Sequence, residues 1–288
     1  MGMNKSFKQG AGIAARRSRL ILYLWLANLA FAFLVVAPFA FLIGGDFSRS
    51  LLGERLARGV DFLWLGDVIL KYQDALAGLS GWVFVPVVLY LLWSVFSSGG
   101  ILGRITSKPD ERTTLAGFLS DGCRYFFRFL RVFLISIPVY LLALGLVYRL
   151  IGTLFDSWSK NARTEWGAFW ASNLKFIVFL LLFSLVRMLF DYVKIRLVVE
   201  QSRKTFRATV LTFGFLVRRL ARAWSLYLLI GVLSLAVSFL FLGVSRLLVG
   251  GFGAILLVVW EQMYIAIRQG FRVWFLSAEY FFYWDSVR

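Results

Sequence analysis

The sequence predicts an all-α fold, a polytopic transmembrane helical bundle of about six spans with amphipathic helices at its interfaces. Three observations carry that prediction. Of 288 residues, 60% are hydrophobic and only 16% charged, with a mean hydropathy of +0.77, whereas water-soluble domains hold about 45 to 50% and about 25%. Six stretches, residues 20–43, 81–102, 130–148, 174–197, 221–243 and 251–267, are long enough to cross a hydrocarbon core roughly 30 Å thick at about 1.5 Å per residue. With the amino terminus inside, 23 of the 32 Lys and Arg residues fall on the inner side and 9 on the outer side, the asymmetry that retains flanking cations in the cytoplasm.

Residues 1–19 carry Lys5, Lys8, Arg16, Arg17 and Arg19 and read as a short cytoplasmic arm, unstructured in part, ahead of a single membrane domain over 20–288. The first span is too long and too rich in Phe and Leu for a cleaved signal, and no small-residue cleavage site follows it, so it is expected to stay as an anchor. Between Asp46 and Ser80, Leu52, Leu56, Val60 and Leu63 recur at near-helical spacing, with Glu54, Arg55, Arg58 and Asp61 on the other side. That pattern predicts an interfacial helix. Trp64, Trp82, Trp158, Trp166 and Trp170 suit headgroup depth.

In the second span, Ser97, Ser98, Gly99 and Gly100 form a small-residue patch of the kind that lets helix backbones approach closely; a ligand-binding turn is the other reading. Pro38, Pro86 and Pro138 sit inside the first three spans, where a missing hydrogen bond predicts kinks. Two inner connections, residues 113–128 and 205–219, look amphipathic. At an offset of 91, Arg128 and Arg131 fall on Arg219 and Arg222, which points to a weak parallel repeat of 81–150 and 174–243.

Arg-x-x-Arg precedes every outward-going span: Arg16 and Arg19, Arg128 and Arg131, Arg219 and Arg222. Residues three apart share a helix face, so each pair is a candidate grip on lipid phosphates, guanidinium being suited to bidentate contact. Plain positive-inside anchoring accounts for the same cations.

Ionisable groups at mid-bilayer cost at least about 2.5 to 3.5 kcal/mol, so they pair or face a wet cavity. Counting rise along each span brings Glu261, Arg187 and Asn28 to similar depth. An interhelical ion pair between Glu261 and Arg187 is therefore expected, with Asn28 and Gln262 as further hydrogen-bonding partners. Arg187 also has local choices, because Asp191 and Lys194 follow it on one stripe. Glu261 is read either as half of a structural bridge or as a group that titrates or binds a cation.

The absence of histidine and the single cysteine, Cys123, remove imidazole chemistry and an intrachain disulfide. No GxxxxGK[ST], HExxH, GxSxG or CxxC occurs, so phosphate-loop, zinc-protease, serine-elbow and thiol-redox readings lack their residues. No cofactor, metal or nucleic acid is expected; the +17 net charge is attributed to topology. The expectation is a non-enzymatic protein of the plasma (inner) membrane, both termini cytoplasmic. It would act as an accessory or scaffold subunit against anionic lipids and other membrane subunits. The alternative is a transporter or permease lined by Asn28, Arg187, Asp191 and Glu261.

Overall fold

A computed structural model describes residues 3–47, 62–107, 111–162, 164–202, 204–248 and 254–287. Among them run nine helices and no strand: α1 (Met3–Arg16), α2 (Ser18–Phe47), α3 (Phe62–Lys71), α4 (Gln73–Thr106), α5 (Leu115–Asn161), α6 (Glu165–Val199), α7 (Thr205–Val217), α8 (Leu220–Leu248) and α9 (Ala254–Val287). The protein is an all-α bundle. Five of the described helices, α2, α4, α5, α6 and α8, are long and apolar enough to cross a membrane, with mean hydropathy between 1.8 and 2.5.

The sixth expected span falls in α9 and departs from expectation. This helix has 34 residues, but Glu261, Gln262, Arg268 and Gln269 dilute its apolar part, and it is not among those five. The amino-terminal arm differs too, since α1 is a continuous helix rather than a partly unstructured tail. The expected interfacial helix rests on Leu52, Leu56 and Val60, which lie outside the described residues; the described part of that stretch holds α3 and the start of α4.

Local chemistry sets the breaks. Thr114 and Thr164 accept hydrogen bonds from Gly117 N and Gly167 N at 3.2 and 3.3 Å, capping otherwise unpaired donors at the starts of α5 and α6. After α6, Gln201 takes a left-handed backbone with φ 47°, a conformation costing a non-glycine residue about 1 to 2 kcal/mol. Its side-chain amide offsets this by donating to Val198 O at 2.8 Å and Tyr125 Oη at 3.0 Å. The two amphipathic connections fold differently: the first merges into the 47-residue α5, whereas the second stops at Arg218 between α7 and α8. Helices α2, α4 and α5 run through Pro38, Pro86 and Pro138 without ending.

The core sits at one end of the bundle. Leu20 and Leu24 of α2, Ile101 and Leu102 of α4, Phe118 and Phe129 of α5, most of 186–198 in α6, Leu226 and Ile230 of α8, and Val273 to Tyr283 of α9 are mostly buried there. The opposite halves of the same helices leave large apolar side chains open, Phe41 at 86%, Leu141 and Leu142 at 70% and Leu247 at 78%. Such a surface is prohibitive in water and ordinary against lipid tails.

Helix α1 joins this core through Ser6, Gly10 and Ala14, buried at four-residue spacing so that they share one face. That face rests on α9. A Cβ on Gly10 would lie 2.7 Å from Ala278 N and 2.8 Å from its Cα, contacts with backbone that cannot swing aside. The Gly-rich end of α4 meets α5 similarly: a Cβ on Gly100 would strike Phe118, and one on Gly103 the Asp121 carboxylate at 2.5 Å. That carboxylate binds Arg104 Nε, while Arg104 Nη1 binds Glu111 at 2.8 Å.

Two substitutions, each set against a control glycine, test this packing in detergent by thermal unfolding. Gly10→Ala is expected to destabilise by about 1 to 3 kcal/mol through overpacking. Gly12→Ala, with nothing within 4 Å of its added Cβ, is expected to be neutral or stabilising by up to about 1 kcal/mol. Gly103→Ala is expected to displace Asp121 from Arg104 and lower the midpoint more than Gly78→Ala, where the added methyl meets open space.

Candidate functional site

Most of the inner half of α6 is buried, and the stripe Arg187, Asp191, Lys194 runs along it from an exposed Arg187 to a buried Asp191 and a half-buried Lys194. Lys194 Nζ donates to Asp191 Oδ1 at 2.8 Å, a partner one turn away. Arg187 instead opens into a cavity of about 680 Å³ between α4, α5, α6, α8 and α9. Further along α6, Arg196 Nε lies 2.9 Å from Glu200 without hydrogen-bond alignment, a charge contact only.

Helix α9 supplies the second cation of the cavity. Arg272 Nη2 reaches across to α4 and donates to Ser94 O at 3.0 Å, Ser97 Oγ at 2.8 Å and Ser98 Oγ at 3.3 Å. Ser97 and Ser98 themselves donate to the Ser94 carbonyl within their own helix, so their oxygens are oriented as acceptors. The small-residue patch therefore has two faces of work: the glycines admit α5, and the serines receive the guanidinium. Tyr140 of α5 and Tyr227 of α8 complete the polar wall, and Leu91, Ile137, Leu141 and Leu144 form an apolar one.

Behind this wall, Glu279 of α9 is 1% exposed, with no hydrogen-bond partner for either carboxylate oxygen; the Tyr192 hydroxyl is likewise buried without one. Asp191, Lys194 and Arg187 act on Glu279 through space. An unpartnered buried carboxylate costs several kcal/mol in its charged form.

The expected bridge between Glu261 and Arg187 does not form. Glu261 is exposed and accepts from Ser245 Oγ at 2.8 Å, beside a small apolar groove of about 250 Å³. Ser245 lies three residues from the end of α8, which puts Glu261 near the rim rather than the middle. The reason is register: Arg272, eleven residues and hence about 16 Å further along α9, stands where Glu261 was expected. Gln262 Oε1 accepts from Trp25 Nε1 of α2 at 3.1 Å, and Asn28 Nδ2 donates to Leu24 O of its own helix at 3.0 Å. Of the expected polar group, only Arg187 and Asp191 come together.

The three arginine pairs have separate surroundings. Arg16 and Arg19 straddle the junction of α1 and α2 and line a cavity of about 790 Å³, so they do not share one helix. Arg128 lies over the Tyr125 ring, 5.7 Å from its centroid, and Arg131 stands on an open face beside Lys204 and Arg207. Arg219 covers the Phe215 ring at 4.8 Å, and with Arg222 it borders a small cleft holding Asp285.

Arg272 and Glu279 escaped the sequence reading because both lie past the stretch of highest hydropathy. The available signal was the unbroken helical pattern to Val287. Among the described residues, no group of three metal-ligating side chains gathers. The isosteric Glu279→Gln is expected to fold and to unfold in detergent at an equal or higher temperature, because it removes an unpartnered charge; a lower midpoint would mean that the carboxylate is held by its neighbours' cations. No family model, no curated protein and no solved structure matches this chain.

Proposed function

We propose that this chain is a non-enzymatic integral membrane protein that holds an anionic lipid headgroup in the cavity between α4, α5, α6, α8 and α9. The observation that carries the reading is the cavity's two-sided lining. Leu91, Ile137, Leu141 and Leu144 continue the lipid-facing surface inward, and they lead to Arg187, Lys194 and Arg272 against one carboxylate, Asp191. An apolar entrance ending in surplus positive charge matches an amphiphile with a negative head. Its volume, about 680 Å³, falls within the roughly 300 to 1,000 Å³ range of small-molecule sites. Lipid tails would lie along the open side chains of Leu141 and Leu142.

In this reading the end that carries the core faces the cytoplasm of the plasma membrane, where surplus Lys and Arg belong, and the lipid comes from that leaflet. The role is that of an accessory or scaffold subunit: the open apolar faces of α2, α5 and α8 offer area for lipid and for other membrane subunits. A permease draws support from the same charged cavity, which ordinarily marks a substrate path when it lies among spanning helices.

Lipid binding to the purified chain, read by native mass spectrometry from detergent, tests the assignment. Phosphatidylglycerol is expected to bind more tightly than phosphatidylcholine. Arg187→Gln, which loses no hydrogen bond among the described residues, is expected to weaken the former about tenfold or more, the worth of one charge-assisted contact, and to leave the latter unchanged. Equal binding of the two lipids, or an indifferent Arg187→Gln, would overturn it. Scrambling of fluorescent phosphatidylglycerol in proteoliposomes separates the two roles: an accessory protein leaves the protein-free rate unchanged, and a permease accelerates it.

A further inference from the structure

A second cavity of about 790 Å³ lies where α1 passes into α2, against the last turn of α4 and the segment leading into α5. Four guanidinium groups line it, those of Arg16, Arg17, Arg19 and Arg112. Arg17, the single turn residue between the two helices, is buried at 7% exposure, and its Nη1 donates to Ser107 Oγ at 3.2 Å. It is thus anchored in place. Arg16, Arg19 and Arg112 are exposed and reach the cavity from its rim; none of these three has an ion-pair partner among the described residues.

Among the described residues one carboxylate also lines the cavity, that of Glu111, but Arg104 holds it at 2.8 Å and holds Asp121 as well. The local acids are therefore engaged by a fifth arginine behind the wall. Burial first, and then the charge of Arg104, press the Arg17 guanidinium below its ordinary basicity, with Glu111 and Asp121 opposing. Ser18 opens the 30-residue α2 at the same place, adding the positive dipole end of a long helix, although Leu20 N is already paired with Arg17 O at 2.9 Å. Two carboxyl ends oppose this dipole end, that of α1 at Arg16 and that of α4 at Thr106 and Ser107, and the α4 carbonyls at Leu102, Gly103 and Arg104 are occupied by the Thr106 and Ser107 hydroxyls.

We propose that this cavity binds a phosphate-bearing group with at least two negative charges, cradled by Arg16, Arg19 and Arg112 around the anchored Arg17. Planar guanidinium groups meet phosphate oxygens in paired hydrogen bonds, and several forks converging on one half-open cavity select a compact polyanion over a single carboxylate. The site shares no lining residue with the cavity assigned to the lipid above, so either stands without the other. The group arrives on a lipid or as a free phosphate compound.

The test uses the full chain at constant ionic strength, since exposed charges are screened by salt. The free probe is inorganic pyrophosphate added to detergent-solubilised protein. The lipid probe is a nanodisc of cardiolipin, whose headgroup carries two phosphates, in phosphatidylcholine compared with phosphatidylcholine alone. Binding is read as a shift of the unfolding midpoint. Arg112→Gln alone, at an exposed position outside the helices, guards against misfolding; Arg19→Gln with Arg112→Gln is the stronger variant. Arg219→Gln with Arg222→Gln removes equal charge elsewhere on the same end. The expected result is a saturable midpoint rise, with apparent affinity falling about tenfold for each arginine removed from the cavity and unchanged in the distant pair. A rise with pyrophosphate alone names a free phosphate compound as the source, a rise with the lipid alone names a headgroup, and a rise with both assigns the shared phosphate chemistry. No midpoint shift with either probe, equal losses in the two double variants, or no loss in the cavity variants would overturn the proposal.

Discussion

The polar half of α9 can stand inside an apolar bundle only because other helices supply its partners. It is not among the five helices apolar enough to cross a membrane, yet Val273, Ser277 and Ala278 within it are wholly buried. Each neighbour answers a particular group. The α4 serines accept from Arg272, Phe7 of α1 offers its carbonyl to Trp274 Nε1 at 3.1 Å, and α2 supplies the Trp25 donor to Gln262. In lipid, an unmet polar group costs several kcal/mol. Removing any one of these helices would therefore expose α9 rather than simply shorten the core. The position of the core follows, because packing is dense where α9 is polar and sparse where the other helices need only lipid.

This dependence also explains what was legible in the sequence. Five of the six expected spans coincide with helices that are long and apolar enough to cross a membrane, because hydropathy is a property of each segment alone. The stripe Arg187, Asp191, Lys194 was equally legible, being fixed by helical spacing within one segment. The depth of Glu261 was not. Rise was counted from the start of the most apolar stretch, which assumes that a helix crosses where it is greasiest. Three acceptors on α4 place Arg272 at the cavity instead, and acceptors on another helix leave no trace in a hydropathy window. Helix α1 lies between these cases. Its basic residues suggested a loose arm, but Ser6, Gly10 and Ala14 at four-residue spacing already described a face narrow enough to lie on another backbone.

The two cavities alter the account of the net charge. Topology explains why Lys and Arg gather at one end, but it does not require them to line a cavity. Arg187, Lys194 and Arg272 around one cavity, and Arg16, Arg17, Arg19 and Arg112 around another, gather part of the surplus of +17 at two half-open cavities, with Asp191 and Glu111 as the acids lining them among the described residues. Both acids are already bound, by Lys194 and Arg104. Neutral acceptors such as the α4 serines orient a guanidinium but do not offset its charge. In a region of reduced dielectric, that difference is worth several kcal/mol.

A cation excess gathered in a cavity carries a directional consequence. Water relieves it where a cavity opens to solvent, but the α4–α9 cavity has an apolar wall continuous with the lipid-facing surface, and a hydrated ion entering there would leave that wall wetted. An amphiphile meets both halves at once, with its chains against Leu141 and its head against Arg187. The cavity beneath α1 lacks such a greasy approach, since arginines and the hydroxyl-bearing end of α4 form most of its rim. A compact polyanion satisfies it without a tail. On these two proposals the same basic end of the bundle would hold two sites of unlike selectivity, and the difference between them would lie in the wall opposite the arginines rather than in the arginines themselves.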